Sequence, residues 1–133
     1  MQNILFTPPN DVKILDGTKT MTARFWRRKP PSLSSIVTAS TGRKKETRFA
    51  EIKIVGGFIW RPDTDTSLDI EERIGYSLGE IAEKEGYRTW QEFMDAYTSL
   101  NAHLDQDDPK RQHYFLEFEL VKNLRETHQL ELF

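Results

Sequence analysis

The sequence predicts a single α+β domain in which a curled β-sheet is flanked by helices. Runs of alternating polar and apolar residues, typical of strands, lie before residue 62 and return at residues 114–121. Between them, residues 68–104 repeat their apolar positions at helical spacing. Gly56 and Gly57 interrupt the longest strand-like run, where glycines favour a bulge that lets a sheet curl into a barrel.

The chain begins with a short strand and a short helix. The strand covers Ile4–Phe6, and the two prolines that follow end it. Asn10 or Asp11 is expected to cap the helix, which ends at Gly17 because glycine readily adopts the positive φ found just past helices.

Residues 20–26 form the segment on which the functional argument depends. Their strict alternation predicts a half-buried strand with two chemically different faces. One face carries Met21, Ala23 and Phe25, and the other carries Thr20, Thr22, Arg24 and Trp26. Two hydroxyls, a guanidinium and an indole are an unusual set for a solvated sheet surface, so the second face is a candidate site.

The remaining elements follow in order. Residues 35–41 and 48–60 are predicted strands joined by a basic turn, and residues 114–121 form the closing strand. Ser77 with Glu80, and Thr89 with Glu92, match the capping box that satisfies the first amides of a helix. The domain is assigned to residues 1–121 and a C-terminal tail to residues 122–133.

The composition excludes several classes of protein. There are no cysteines, so disulfides and thiolate chemistry are excluded. No apolar run approaches the ~20 residues of a membrane-spanning helix and no leader opens the chain, so a cytoplasmic protein without a membrane partner is expected. His103, His113 and His128 lack ligand spacing, so neither a metal site nor a cofactor is predicted.

The net charge of −2 conceals an asymmetry along the chain. Residues 1–61 carry a balance of +8 and residues 62–133 a balance of −10. A basic half that also carries aromatic residues favours contact with phosphates or nucleobases. Mutual neutralisation of the two halves in the folded protein, or simple solvation, is the alternative.

Lys19 and Thr22 are a candidate catalytic pair. On one regular strand their side chains would leave opposite faces, so they converge only if Lys19 lies in the turn before the strand. A lysine whose pKa is lowered by burial and by the neighbouring Arg24 can accept a proton from a threonine hydroxyl. An exposed lysine beside an ordinary strand residue is the alternative.

Glu85 is a candidate general acid. It precedes Gly86 at a predicted helix end, where the negative end of the helix dipole raises the pKa of a carboxyl group. The alternative is a solvated helix glutamate beside Glu83 and Lys84.

Four segments of the chain resemble ASCH domains, which are small β-barrel relatives of the PUA RNA-binding domain. Residues 16–24, reading DGTKTMTAR, resemble the G-x-K-T-x-T-x-R signature of that family. Residues 36–42 and 49–55 resemble its second and third strands, and residues 81–93 resemble its helical A-x-x-E-G-(F/Y)…W-x-x-F segment. The resemblance spans residues 4–120 and departs at Ser34-Ser35, where the family often has Gly-Asp.

This resemblance implies both a PUA-like barrel and an activity. Small bacterial ASCH proteins similar to this chain are amidohydrolases that remove the acyl group from N4-acetylcytidine with a Lys-Thr-Glu triad. The matching positions are Lys19, Thr22 and Glu85, and Arg24 matches the motif arginine that orients the carboxylate or the substrate. Phe6, Trp26 and Trp60 are candidates to stack on the pyrimidine.

Two further partners are considered. Other ASCH domains are linked to RNA binding or ribonuclease activity, and the basic loops Arg27–Lys29 and Arg43–Lys45 would then contact phosphates. The C-terminal residues Gln129, Leu130, Leu132 and Phe133 resemble the pentapeptide with which bacterial proteins engage the DNA sliding clamp. An ordinary tail is the alternative for this last motif.

Overall fold

The computed structural model describes residues 2–125, which form five strands and four helices. The strands are β1 (Asn3–Leu5), β2 (Met21–Trp26), β3 (Ile36–Ser40), β4 (Arg48–Trp60) and β5 (Gln112–Asn123). The helices are α1 (Asn10–Leu15), α2 (Ser67–Ile74), α3 (Leu78–Lys84) and α4 (Trp90–Asn101), and a 3-10 turn covers Lys45–Thr47. The predicted α+β class is confirmed.

The strands form one mixed sheet in the order β1-β3-β4-β5-β2. β1 runs parallel to β3, and the other neighbouring strands are antiparallel. The register of β4 against β5 shifts between Ile54 and Gly56, which confirms the predicted bulge. A Cβ atom at Gly56 would lie 3.3 Å from the Cβ of Glu117, so this close approach favours glycine. The sheet curls into a half-barrel, as predicted.

Two apolar clusters hold the elements together. The first joins β1, α1, β3, β4 and β5, and the second packs α2, α3 and α4 against β2, β5 and the end of β4. β5 contributes to both clusters, with Phe115 in the second and Leu116 in the first. Neighbouring residues on a strand point to opposite faces, so this strand separates the two clusters.

The edge strands β1 and β2 approach each other because the sheet curls. Leu5 of β1 and Trp26 of β2 line the same two cavities. Just beyond β2, the Arg28 Nη2 atom donates a hydrogen bond to the main-chain oxygen of Asn3 in β1, at 3.4 Å. Side chains therefore fill the space between these two edges, and the cavities described below lie there.

The predicted helix caps are only partly confirmed. The capping box of Ser77 and Glu80 is complete at the start of α3. At the start of α4 the Thr89 hydroxyl accepts a hydrogen bond from the Glu92 amide, but the Glu92 carboxylate accepts from the amide of Arg88 rather than that of Thr89. Only half of the second box therefore forms.

The predicted cap of α1 is wrong. Pro9 occupies the N-cap position, no side chain caps the helix, and Asn10 is its first residue. The Asp11 carboxylate instead forms an ion pair with Arg125, at 2.8 Å, so it is engaged away from the helix end. Gly17 follows the helix with φ of +86°, as predicted.

Some predictions fall outside the described residues. The residues of the clamp-binding motif, Gln129, Leu130, Leu132 and Phe133, all do so. The division into a domain of residues 1–121 and a tail of residues 122–133 stays a prediction, and β5 continues to Asn123. Within residues 2–125, no helix is both long and apolar enough to cross a membrane.

Candidate active site

A cavity of about 320 Å³ lies where β2 meets the end of α3 and one side of α4. Its walls combine polar groups with aromatic rings, a lining typical of small-molecule sites. Five sequence-predicted site residues line it: Lys19, Thr22, Arg24, Trp26 and Glu85. Further lining residues include Asn10, Tyr87, Phe93, Tyr97, Asn101 and Arg111.

Lys19 lies in the turn before β2, as the sequence argument required. Its amide donates a hydrogen bond to the Lys13 main-chain oxygen at 3.0 Å, and the Thr20 amide donates to that of Lys84 at 2.8 Å. These two bonds hold the turn against α1 and α3. The Lys19 side chain is buried, with only 4% of the residue exposed.

Glu85 lies at the C-cap of α3 and faces the same turn. Gly86 follows it with φ of +90°, a conformation in which glycine avoids steric strain. The Lys19 Nζ atom donates to the Glu85 main-chain oxygen at 2.9 Å and lies 3.4 Å from Glu85 Oε1. Oε1 also accepts a hydrogen bond from the Ala23 amide at 3.2 Å. The buried Oε2 atom has no hydrogen-bond partner among residues 2–125.

Burial shifts both members of this pair toward their uncharged forms. Loss of solvation lowers the pKa of Lys19, reinforced by repulsion from Arg24 and opposed by attraction to Glu85. Loss of solvation likewise raises the pKa of Glu85, although Lys19 opposes that shift. Burial therefore favours the uncharged pair, an amine beside a carboxylic acid, more than solvent would at a surface ion pair.

Thr22 contributes a hydroxyl to the cavity and is 4% exposed. The Arg24 Nε atom donates a hydrogen bond to Thr22 Oγ1 at 3.2 Å, which leaves the hydroxyl proton available to another acceptor. Burial lowers the pKa of Arg24 to about 10, so its guanidinium stays charged near neutral pH. The Lys19 Nζ atom is hydrogen-bonded to the Glu85 main-chain oxygen in this structure. Lys19, Thr22 and Glu85 all line one cavity.

The three predicted stacking residues have different surroundings. Trp26 is partly buried and lines the cavity. Phe6 is 2% exposed and packs edge-to-face with Phe49 and Phe118 in the first apolar cluster. Trp60 is 1% exposed in the second cluster. Phe6 and Trp60 are therefore core residues, since neither presents a free ring face to a ligand.

Comparison with known proteins gives a fold and no close relative. The chain matches no protein-family model. It matches no curated protein either. The Enterococcus faecalis protein EF3133, of the DUF984 family, is similar in structure with a TM-score of 0.66 and 14% identity, over 97% of this chain and 81% of that one.

Two further solved structures agree over most of the chain. The hypothetical protein PH0355 gives a TM-score of 0.58 at 15% identity, over 90% of this chain and 98% of that one. An ASCH domain from Lactobacillus crispatus gives 0.55 at 13% identity, over 90% and 78%. The chain has the fold of an ASCH domain. At sequence identities this low, structural similarity establishes the fold of the chain but not its chemistry.

The fold also brings Tyr97 into the cavity, from one of the positions that recur at helical spacing in residues 68–104. Its hydroxyl lies 2.7 Å from His113 Nδ1, and the His113 ring stacks on Phe25 with centres 4.1 Å apart. Helical spacing identified Tyr97 as buried, but no local pattern shows that its face of α4 meets β2. Arg111, which also lines the cavity, donates to the Phe25 main-chain oxygen at 2.9 Å.

A metal site would need several acidic, cysteine or histidine side chains grouped together. Within residues 2–125, no three such side chains are grouped so that they could hold a metal ion. The polar groups that line the cavity include an amine, hydroxyls, a carboxyl group, guanidinium groups and the amides of Asn10 and Asn101.

Proposed function

We propose that the protein is an amidohydrolase that removes the acyl group from N4-acylated cytosine nucleosides, such as N4-acetylcytidine. One observation carries this proposal: a buried amine–carboxyl pair, Lys19 and Glu85, shares a cavity with the Thr22 hydroxyl. Lys19 and Glu85 are 66 positions apart in sequence, and both match positions of the ASCH resemblance.

The proposed reaction begins with attack by the Thr22 oxygen on the amide carbonyl carbon, while the Lys19 amine accepts the hydroxyl proton. The tetrahedral intermediate then breaks its bond to N4, and the Glu85 carboxyl group protonates the departing cytosine amine. Water then attacks the acyl carbon of the Thr22 ester, the bond from that carbon to Oγ1 breaks, a proton of the water restores the Thr22 hydroxyl, and the acyl group leaves as a carboxylic acid. The proton on Lys19 returns to Glu85 across their 3.4 Å contact, which restores the uncharged pair.

Two features of the cavity support these roles. The Glu85 Oε2 atom is buried without a hydrogen-bond partner among the described residues, so it is the carboxyl oxygen left to carry the proton that the departing amine needs. Arg24 donates to Thr22 Oγ1, and a positive charge there stabilises the oxygen as it loses its proton. For the reaction, the Lys19 amine must turn from Glu85 toward Thr22. Hydrogen bonds between catalytic groups commonly reach their working geometry only once substrate is bound.

A threonine series tests the proposal. Conversion of N4-acetylcytidine to cytidine is followed by ultraviolet absorbance for the wild type, Thr22→Val and Thr22→Ser. We expect Thr22→Val to lower kcat by at least about a thousandfold and Thr22→Ser to retain much of it, since only the serine keeps a nucleophilic oxygen. Thr20→Val is the matched control, because Thr20 lies two positions away and does not line the cavity.

Other outcomes would change the proposal in defined ways. Turnover that survives in Thr22→Val would mean that water, rather than Thr22, attacks the carbonyl. No turnover by the wild type would remove the proposed activity.

An RNA-binding or RNA-processing module is the second candidate. Arg27 is paired with Asp108 at 2.7 Å, but Arg28, Lys29 and the Arg43–Lys45 loop are exposed and remain available to phosphates. Titration of a labelled oligoribonucleotide at several salt concentrations tests it. A steep loss of affinity with salt favours the RNA module, because each phosphate contact releases a counterion.

A further inference from the structure

We propose that a groove beside the cavity is a subsite for a phosphate group carried by the substrate. The groove has a volume of about 450 Å³ and is lined by Asn3, Leu5, Arg24, Trp26, Arg28 and Arg43. Leu5, Arg24 and Trp26 also line the active-site cavity, so one wall belongs to both. The identity of the attached nucleoside rests on the proposed function, whereas the anion site rests on the groove itself.

The charge of the groove is strongly unbalanced. Three of its six lining residues are arginines and none is acidic. The ion pairs formed within residues 2–125 involve other cations, and none includes Arg24, Arg28 or Arg43. Repulsion between Arg28 and Arg24 is an unfavourable interaction that a bound anion would relieve.

Two of these guanidinium groups are already positioned by an aromatic ring. The Arg28 Cζ atom lies 4.2 Å from the centre of the Trp26 ring, and the Arg24 Cζ atom lies 5.8 Å from it. Arg28 is further fixed by its hydrogen bond to Asn3. Planar guanidinium groups held in this way suit the paired oxygens of a phosphate, and little side-chain entropy remains to be lost on binding.

The position of Arg24 links the groove to the reacting groups. Its Nε atom contacts Thr22 while the same residue lines the groove, so the Arg24 side chain belongs to both regions. A nucleoside whose N4-acyl group is held at Thr22 carries its phosphate beyond the pyrimidine ring and the ribose. The ligand class is therefore a phosphate ester of the nucleoside, either as a free mononucleotide or within an RNA chain.

Calorimetric binding of reaction products tests the subsite without requiring turnover. Cytidine, cytidine 5′-monophosphate and cytidine 3′-monophosphate are titrated into the wild type, Arg28→Gln and Arg43→Gln. We expect one monophosphate to bind at least about tenfold more tightly than cytidine, as charge-assisted hydrogen bonds allow. Each variant should lose most of that gain while its affinity for cytidine stays within about twofold.

Arg88→Gln is the matched control, because Arg88 is exposed, pairs with Glu92 and lines neither region. Equal binding of cytidine and both monophosphates by the wild type would overturn the proposal. So would a preference that persists in both groove variants. Because the assay measures binding, failure of the amidohydrolase activity and failure of the subsite give separate results.

Titration with cytidine-containing oligoribonucleotides of increasing length identifies the source of the phosphate. Affinity that rises further with the length of a cytidine-containing oligoribonucleotide places the phosphate in an RNA chain. Affinity that stays at the mononucleotide value identifies a free nucleotide. Both results support the phosphate subsite, provided that the gain over cytidine disappears in Arg28→Gln.

Discussion

At the scale of single residues, the Lys19–Glu85 pair shows how burial changes the role of two common side chains. The pair is 3.4 Å apart, and both residues are at least 96% buried. A buried pair contributes little net stability, because desolvation offsets most of its attraction. The pair matters for the proposed reaction, because burial favours the neutral amine and the protonated carboxyl group that acyl transfer needs.

Removing one partner should make stability strongly pH dependent. In Lys19→Met the buried Glu85 keeps a pKa raised above its ordinary value of 4.5. As the pH rises above 4.5, the unfolded chain loses the Glu85 proton while the folded chain keeps it. The free energy of unfolding therefore falls as pH rises, by at most ~1.4 kcal/mol per pH unit. Near neutral pH the loss should reach about 3–5 kcal/mol, as for other broken buried pairs.

Urea unfolding at about pH 4 and about pH 7.5 measures this dependence. Lys19→Met combined with Glu85→Gln is the control, because it leaves no buried charge and should recover much of the stability at the higher pH. An equal loss for Lys19→Met at both pH values would show that Glu85 is not a buried, raised-pKa carboxyl group.

Some of these residue roles were predictable and others were not. The requirement that Lys19 precede the strand followed from the alternation of β2, and the structure satisfies it. The assignment of Phe6 and Trp60 to a stacking role failed, because an aromatic residue in a strand has the same local pattern in a core as in a binding site. Only the packing of distant elements distinguishes the two.

At the scale of elements, the end of α3 positions the carboxyl group. Gly86 terminates the helix with φ of +90°, and its amide donates to the Glu83 main-chain oxygen at 2.9 Å. Its own oxygen accepts a hydrogen bond from Lys13 Nζ at 2.9 Å, which ties the helix end to α1. The site therefore depends on this helix end keeping its conformation.

Gly86→Ala tests that dependence. A Cβ atom there would lie 3.1 Å from Lys13 Cδ, and the positive φ is unfavourable for alanine. We expect the free energy of unfolding to fall by about 1–3 kcal/mol. We also expect kcat to fall, because the altered helix end displaces Glu85. Thermal unfolding and the cytidine assay measure the two effects.

Gly79→Ala is the control on the same helix. Its Cβ atom would meet nothing closer than 3.9 Å, so alanine should stabilise α3 by about 0.5–1 kcal/mol and leave kcat unchanged. If Gly86→Ala proves equally harmless, the helix end does not position Glu85.

The elements themselves were the most predictable feature. β4 begins and ends at the residues that alternation indicated, and α1 to α4 fall within or beside the helical segments. The pairing of β1 with β3, and the approach of β1 to β2, have no local signal in the sequence. They follow from the curl of the whole sheet, which is why the arginine groove was not predicted as a site.

At the scale of the whole molecule, the half-barrel brings its two edges together and places the cavity and the groove between them. β2 carries Thr22 and Arg24 at one edge, while α3 and α4 close the cavity from the helical side. Two segments distant in sequence, residues 19–24 and the end of α3 at Glu85, therefore supply the polar groups of the proposed reaction. The ASCH fold explains this convergence, and the reaction itself is the claim that needs measurement.

Detection of an acyl-enzyme is the most direct test of that claim. N4-acetylcytidine is mixed with the wild type, the reaction is stopped with acid during turnover, and the intact mass and peptides of the protein are determined. The account predicts one acetyl group, located on Thr22 and absent from Thr22→Val. The account would be contradicted if cytidine formed while Thr22 carried no acetyl group and hydroxylamine trapped no acyl group.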